Sequence, residues 1–410
     1  MPQKTDNFRP WLVLAAATGI NLMLGIQYSW SVIKKALVTD WHWTHVEASL
    51  PYTFYTAIFA LSSVIGGNLQ DRYGPRRIAS VAGLLLGGGL MACSLSTDPL
   101  AVMISYGIAG AGSGLSLATS VPTCVKCCPP GKRGLITGIV MGGAGIAPAY
   151  FSPLATWLLG RYGISHTFFL LGAGIFTVMI IMAQFLKVPA AESKPVRAPN
   201  PSRAAASPMQ PDITWREMLK LPVFYKLWLA YFFMSSGGLM VIGHIATIAT
   251  AQANWENGFY LVMLLAVFNT GGRITGGHLS DRFGRLPTLR AVFLIVAVNL
   301  LLFSTYTTAP LLSVGAALTG ICYGAGASLV ALITAEYFGL KNLGANYGIM
   351  LTSWGAAGVL GPILGGRAAD LTGRYDIAYL VSAALLFLAF LLAFTIKPPP
   401  APSGSHHKSN

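Results

Sequence analysis

NTGGRITGGHLSDRFGR, Asn269 to Arg285, opens in an apolar run that begins near Phe259 and turns polar from His278 onward. It reads as a membrane helix running into a tight turn. The same ending occurs earlier as GNLQDRYGPRR, Gly67 to Arg77. Gly67, Leu69, Asp71, Arg72 and Gly74 return 210 residues later as Gly277, Leu279, Asp281, Arg282 and Gly284. Five identities in eight positions point to a duplicated chain. In such a turn the glycines let neighbouring helices approach, and Asp71 and Asp281 can cap helix ends. Arg72 and Arg282 can hold lipid headgroups or a partner helix.

The rest of the chain fits a polytopic helical membrane protein. Only 10% of its 410 residues are charged, 54% are hydrophobic, and the mean hydropathy is +0.61; a soluble domain carries about a quarter charged residues. Apolar stretches of about 20 residues suffice to cross a roughly 30 Å hydrocarbon core as helices. Twelve are expected, over 10–33, 46–69, 78–96, 99–125, 134–160, 165–187, 223–250, 258–279, 288–306, 309–335, 345–369 and 377–396. The fold class is therefore all-α, with twelve transmembrane helices in two pseudo-symmetric six-helix bundles.

The net charge of +14 would suggest nucleic acid in a soluble protein. Its distribution excludes the need for that reading. With both termini cytoplasmic, 21 of the 27 Lys and Arg residues fall in inner segments, five in outer ones, and Arg273 within a span. That asymmetry is the positive-inside pattern. A multi-pass protein of the cell membrane, plasma or inner, is expected, in contact with lipid and acting as a monomer.

Four segments follow. Residues 1–187 form the first six-helix bundle and 223–397 the second. The Pro-, Ala- and basic-rich stretch 188–222 reads as a cytoplasmic linker. It ends in DITWREMLKLP, where Asp212 or Thr214 can cap a short amphipathic helix on the inner membrane surface, with Trp215, Met218 and Leu219 on one face. The tail 398–410 is disordered by composition. Cys124, Cys127 and Cys128 cluster at the inner end of the fourth span without a nearby histidine, so neither a metal site nor another cofactor is expected.

Arg273 is the residue with chemistry to explain. A guanidinium within a span costs about 2.5–3.5 kcal/mol on insertion scales, cannot lose its proton, and matches a carboxylate with two parallel hydrogen bonds. No acidic residue falls deep in a span, which favours a ligand as its partner over a snorkelling structural role. Asn269 lies four residues earlier on the same helix face and can hold the second carboxylate oxygen or an α-hydroxyl. Gln27 and Tyr28 in the first span, Tyr323 in the tenth and His244 in the seventh are further polar groups inside spans. Each alone is more often an inter-helix hydrogen bond; together they are binding candidates.

The duplicated turn across twelve helices resembles the major facilitator superfamily. The resemblance implies two bundles that rock about a central site, with spans 1, 4, 7 and 10 lining the cavity. The runs GIQYSW and NTGGRITGGHLSDRFGR further resemble the monocarboxylate porter family, including its oxalate:formate antiporter branch. There the eighth-span arginine binds substrate carboxylate, a role that carries onto Arg273, and Gln27 and Tyr28 match the antiporter branch in position. Trp354 stands where oxalate carriers have a second cation, a lysine. One cation neutralises one carboxylate, and a second left unpaired in a site of low dielectric would be heavily penalised. Leu117, Ala144 and Ala327 replace tyrosines that narrow the oxalate site, leaving room for a three- or four-carbon acid such as lactate or pyruvate.

The expected function is secondary transport of a small monocarboxylate, foremost L-lactate, with a proton. His244 is the proton-coupling candidate on pKa grounds. The alternatives are an anion exchanger of the oxalate:formate type and a carboxylate sensor that moves nothing. The spans hold no serine and histidine pair, zinc motif or carboxylate pair, so no enzyme is expected.

Overall fold

The computed structural model describes residues 10–44, 47–187 and 212–399. Most of the linker (188–211) and the tail from 400 lie outside the described residues, so the expectations for them do too.

Among the described residues, eleven helices are long and apolar enough to cross a membrane. The first is a broken rod: α1 (Pro10–Leu24) passes through a 3-10 turn, Gly25–Ser29, into α2 (Trp30–Asp40). The sequence reading ended this span at 33 because two lysines follow. The helix continues since Ile33 and Leu37 stay buried on one face while Lys34 and Lys35 occupy the other. Next come α3 (Leu50–Tyr73), α4 (Pro75–Cys93), α5 (Pro99–Cys127) and α6 (Arg133–Ala183).

At 51 residues α6 is too long for one crossing, since at 1.5 Å per residue it would run about 76 Å against a core of roughly 30 Å. It holds the fifth and sixth spans, hinged at Gly163, whose φ of 75° suits glycine. The chain doubles back there, so Gly143 and Met182 pack on the same turn of α1, at Thr18 and Gly19. The helix thus supplies two crossings, twelve in all.

After α7 (Trp215–Met218) come α8 (Pro222–Ala253), α9 (Phe259–Phe283), α10 (Arg285–Phe303), α11 (Ala309–Phe338), α12 (Leu343–Thr372) and α13 (Asp376–Thr395). The third and ninth spans start earlier than read, at Pro75 and Arg285, directly after turn glycines Gly74 and Gly284 with φ of 87° and 92°. Basic residues in these first turns hid them from a hydropathy reading.

The short helix expected at the end of the linker is present, with Trp215, Met218 and Leu219 the less exposed of its residues. It is a single turn, capped by Thr214 and Glu217 in a reciprocal capping box. Glu217 accepts from the Thr214 N–H and hydroxyl, which holds its carboxyl below the usual range. Met218 is fully buried, the Ile213 N–H donates to the Phe338 carbonyl, and Asn346 Nδ2 donates to the Ile213 carbonyl. The turn is fastened to the ends of α11 and α12.

Within the first half α3 packs along α5, α4 along α5 and α6, and α1 along α6. In the second half α9 packs along α11, α8 along α12 and α13, and α10 along α13. The halves meet through α6 against α9 and α3 against α12. At the end carrying the duplicated turns these contacts are backbone-close. A Cβ on Gly67 would come within 1.9 Å of the Gly344 carbonyl oxygen, and one on Gly134 within 2.0 Å of that of Gly277. Asp71 accepts from the Ala345 N–H at 3.0 Å, and Asp281 from the N–H groups of Gly134 and Leu135 at 3.0 and 3.1 Å. Each carboxylate thus sits on the first turn of a helix of the opposite half, where free N–H groups and the helix dipole favour a negative charge. Toward the opposite end a cavity lies between the two halves.

Candidate functional site

The middle of α9 carries the site. Asn269 and Arg273 lie one turn apart, each 5% exposed. Arg273 Nε donates to Asn269 Oδ1 at 3.0 Å, and Nη1 to the Met141 carbonyl of α6 at 2.8 Å. No carboxylate pairs with it among the described residues, and Nη2 makes no hydrogen bond there. The guanidinium is aimed by the protein and left un-neutralised. Since Asn269 Oδ1 is engaged, the amide offers a ligand only its Nδ2 donor. Ser328 Oγ donates to the Arg273 carbonyl at 3.1 Å and ties this turn to α11.

Arg273 lines a small pocket of about 40 Å³, room for roughly three or four waters at about 10–15 Å³ each. Gln27, Tyr28, Tyr323 and Trp354 line it as well, together with Leu117, Ala144 and Ala327. Five of the six expected binding residues thus share one pocket, while Asn269 does not line it. Trp354 Nε1 donates to Tyr323 Oη at 2.7 Å, and the Trp354 ring lies 5.0 Å from that of Phe59. Gln27 is 6% exposed, and its buried Oε1 has no hydrogen-bond partner. Of the buried side-chain polar atoms left without a partner among the described residues, it alone belongs to a residue lining this pocket.

Above the pocket, away from the duplicated turns, a cavity of about 400 Å³ separates the two halves. Gln27, Tyr28 and Trp354 line both spaces, and Asn269 lines the cavity. Among the described residues, no acidic residue lines either.

His244 stands apart from this group. It is half-buried, its Nε2 lies 3.0 Å from the Pro362 carbonyl, and its ring centroid is 5.4 Å from that of Tyr375. It lines neither the pocket nor the cavity, although Gly243 and Pro362 line the cavity.

At the closed end, Asp71 pairs with Lys126 at 2.6 Å, while Asp281 pairs with Arg285 at 2.7 Å. Arg285 also reaches Glu336 at 3.4 Å. Arg72 and Arg282 form no ion pair among the described residues and lie over the rings of Tyr73 and Phe283 at 5.3 and 5.5 Å. Lys126, Arg285 and the Met141 carbonyl were not singled out from sequence. The first two sit at span ends, where a basic residue reads as loop charge, and a backbone carbonyl carries no sequence signal at all.

A profile of the Major Facilitator Superfamily matches residues 15–310 and 260–409. The oxalate:formate antiporter of Oxalobacter formigenes is 27% identical over 401 residues, covering 95% of this chain and 91% of that one. Monocarboxylate transporter 13 of Rattus norvegicus is 25% identical over 388 residues, covering 92% and 86%. Among solved structures, the E. coli fucose:proton symporter FucP superposes with a TM-score of 0.70 at 16% identity, covering 94% of this chain and 98% of that one.

Proposed function

The chain belongs to the Major Facilitator Superfamily, and on that premise we propose that it carries a small monocarboxylate, foremost L-lactate, together with a proton. One observation carries this reading: a buried guanidinium with Nη2 unengaged and no carboxylate partner, lining a pocket of about 40 Å³. A carboxylate supplies the missing negative charge, with one oxygen on the guanidinium and the other on Asn269 Nδ2. Gln27 Oε1 calls for a donor, which a carboxylate lacks and an α-hydroxyl provides. Leu117, Ala144 and Ala327 leave space for a methyl group. Tyr323 and Trp354, bonded to each other, close the second half's side of the pocket, and Tyr28 the first half's.

The bundles 1–187 and 223–397 rock about this site in the proposed cycle. The closed end, with its Asp71 and Asp281 caps, faces the cytoplasm, and the open end faces outward. When the capped contacts part, the site opens inward. A monoanion that travels with one proton moves no net charge. His244 is the proposed proton carrier: its Nε2 lies 3.0 Å from the carbonyl of cavity-lining Pro362, and an imidazole can both accept and release a proton.

Proteoliposomes with an imposed pH gradient and no internal anion test this reading. Accumulation of labelled L-lactate that collapses with the gradient is expected. Uptake only when an internal anion is supplied would establish exchange instead, and saturable binding without flux would establish a sensor.

A further inference from the structure

Below the pocket of Arg273, toward the closed end, Asn21 Oδ1, Thr137 Oγ1, Tyr347 Oη and Gln70 Oε1 are buried with no hydrogen-bond partner among the described residues. None of these residues is more than 2% exposed. Their places are regular. Thr137 precedes Met141 and Ala144 by four and seven residues, Tyr347 precedes Leu351 and Trp354 by four and seven, and Asn21 precedes Leu24 and Tyr28 by three and seven. All six of those neighbours line the pocket. Residues at such spacing share a helix face. Helices α6 and α12 begin at the closed contacts of Gly134 and Gly344, and α1 begins beside Cys124, two residues from Lys126. Asn21, Thr137 and Tyr347 therefore lie about one turn below the pocket, on the faces that line it.

Other contacts place them further. Asn21 Nδ2 donates to Ser120 Oγ at 2.9 Å, three residues on from pocket-lining Leu117. Tyr347 Oη stands within electrostatic reach of Arg273 and Tyr231, which both line the pocket. Gln70 lies deepest, eleven residues beyond pocket-lining Phe59, where a Cβ on Gly344 would meet its Oε1 at 2.4 Å. A buried polar group without a partner has lost its hydration and gained nothing in exchange. Four helices hold such groups in succession from the pocket to the seal. Parting of the capped contacts would admit water to all of them.

We propose that Asn21, Thr137, Tyr347 and Gln70 line the inward exit route of the substrate, closed in this conformation, and that the Tyr347 hydroxyl takes the carboxylate over from Arg273. The inference rests on the function proposed above. A phenol offers the anion one hydrogen bond and no charge, so it holds a carboxylate less tightly than a guanidinium does and lets it pass on. Deleting that hydroxyl relieves the closed conformation of an unpaired group and deprives the opened one of a hydrogen bond. Both changes slow opening.

Tyr347→Phe makes that deletion, with lactate efflux from proteoliposomes, calorimetric affinity and thermal unfolding as the readouts. Turnover is expected to fall about tenfold, with affinity within about twofold of wild type and a raised unfolding temperature. Thr137→Val, a near-isosteric loss of a second hydroxyl, slows turnover in the same direction. Tyr106→Phe is the control. Its hydroxyl is likewise buried without a partner among the described residues, but its ring packs against Trp30 and Tyr55, eleven residues before Leu117 on the side away from the closed end. Its loss leaves turnover as it was. Turnover in Tyr347→Phe and Thr137→Val equal to that in Tyr106→Phe overturns the proposal. So does an affinity in Tyr347→Phe weakened about tenfold or more, which would make the hydroxyl a ligand of the resting site. Were the wild-type protein to bind no monocarboxylate, the function proposed above would fall. Were it to bind with both variants turning over normally, only the exit route would.

Discussion

Helices α3 and α9 occupy equivalent places in the duplicated chain and end in the same turn, yet only one carries the site. At the closed end the correspondence is close. Asp71 on Ala345 and Asp281 on Leu135 are the same contact displaced by 210 residues, as are Gly67 against Gly344 and Gly277 against Gly134. One level up it stops. Where α9 has Asn269 and Arg273, α3 has Phe59 and Ser63. Ser63 donates to the Gly348 carbonyl of α12, and Phe59 packs on Trp354. Both helices thus bridge to a carbonyl of the opposite half, but only α9 brings a charge. The repeat is kept where the two halves meet backbone to backbone and departs where α9 carries its buried guanidinium.

The closed end offers the largest break in this comparison. Gly134→Val places a branched side chain where even a Cβ would lie 2.0 Å from a backbone oxygen. Sealing of that end is expected to fail, with transport abolished while the protein still inserts, as measured by uptake normalised to membrane protein. Transport near wild type would show that the contact is not needed.

The two capping aspartates then divide the repeat more finely. Asp71→Asn leaves Lys126 with only the Lys341 carbonyl at 3.5 Å, whereas after Asp281→Asn, Arg285 keeps Glu336. An unsatisfied buried polar group costs about 1–3 kcal/mol, so Asp71→Asn should shift the balance toward opening of this end more strongly, by about tenfold or more. Distances between spin labels across that end read the populations. An equal shift in both variants would mean the neighbouring cations contribute nothing.

A smaller effect is expected at the pocket. Gln27→Leu removes the acceptor assigned to the α-hydroxyl, and L-lactate affinity should fall about five- to a hundredfold at 1–3 kcal/mol while propionate affinity holds. Parallel losses for both acids, measured calorimetrically, would assign Gln27 to the carboxylate.

Sequence alone carried the helix count, the two-bundle class and the duplicated turn, because each leaves a periodic or repeated trace in residue type. It also pointed to Arg273, since a cation inside an apolar run needs no structure to be noticed. Other features depend on rotation and depth, which sequence records poorly. Met141 helps aim Arg273 through its carbonyl, which any residue there possesses. His244 is the proton-coupling candidate on residue type alone; which way its ring turns, here to the Pro362 carbonyl, leaves no trace in sequence. Asn269 was assigned to the ligand, and half of its amide proves to serve Arg273. Lys34 reads as loop charge because the hydropathy run ends at 33, seven residues before the helix ends at Asp40.

Calorimetric titration of L-lactate into the purified wild-type protein and into Arg273→Ala tests the central claim most directly. A charge partner removed from a buried site costs about 3–5 kcal/mol, so binding in the variant should be about a hundredfold weaker or undetectable, with thermal unfolding close to wild type. Affinity in Arg273→Ala within about threefold of wild type, well under that cost, would contradict the account.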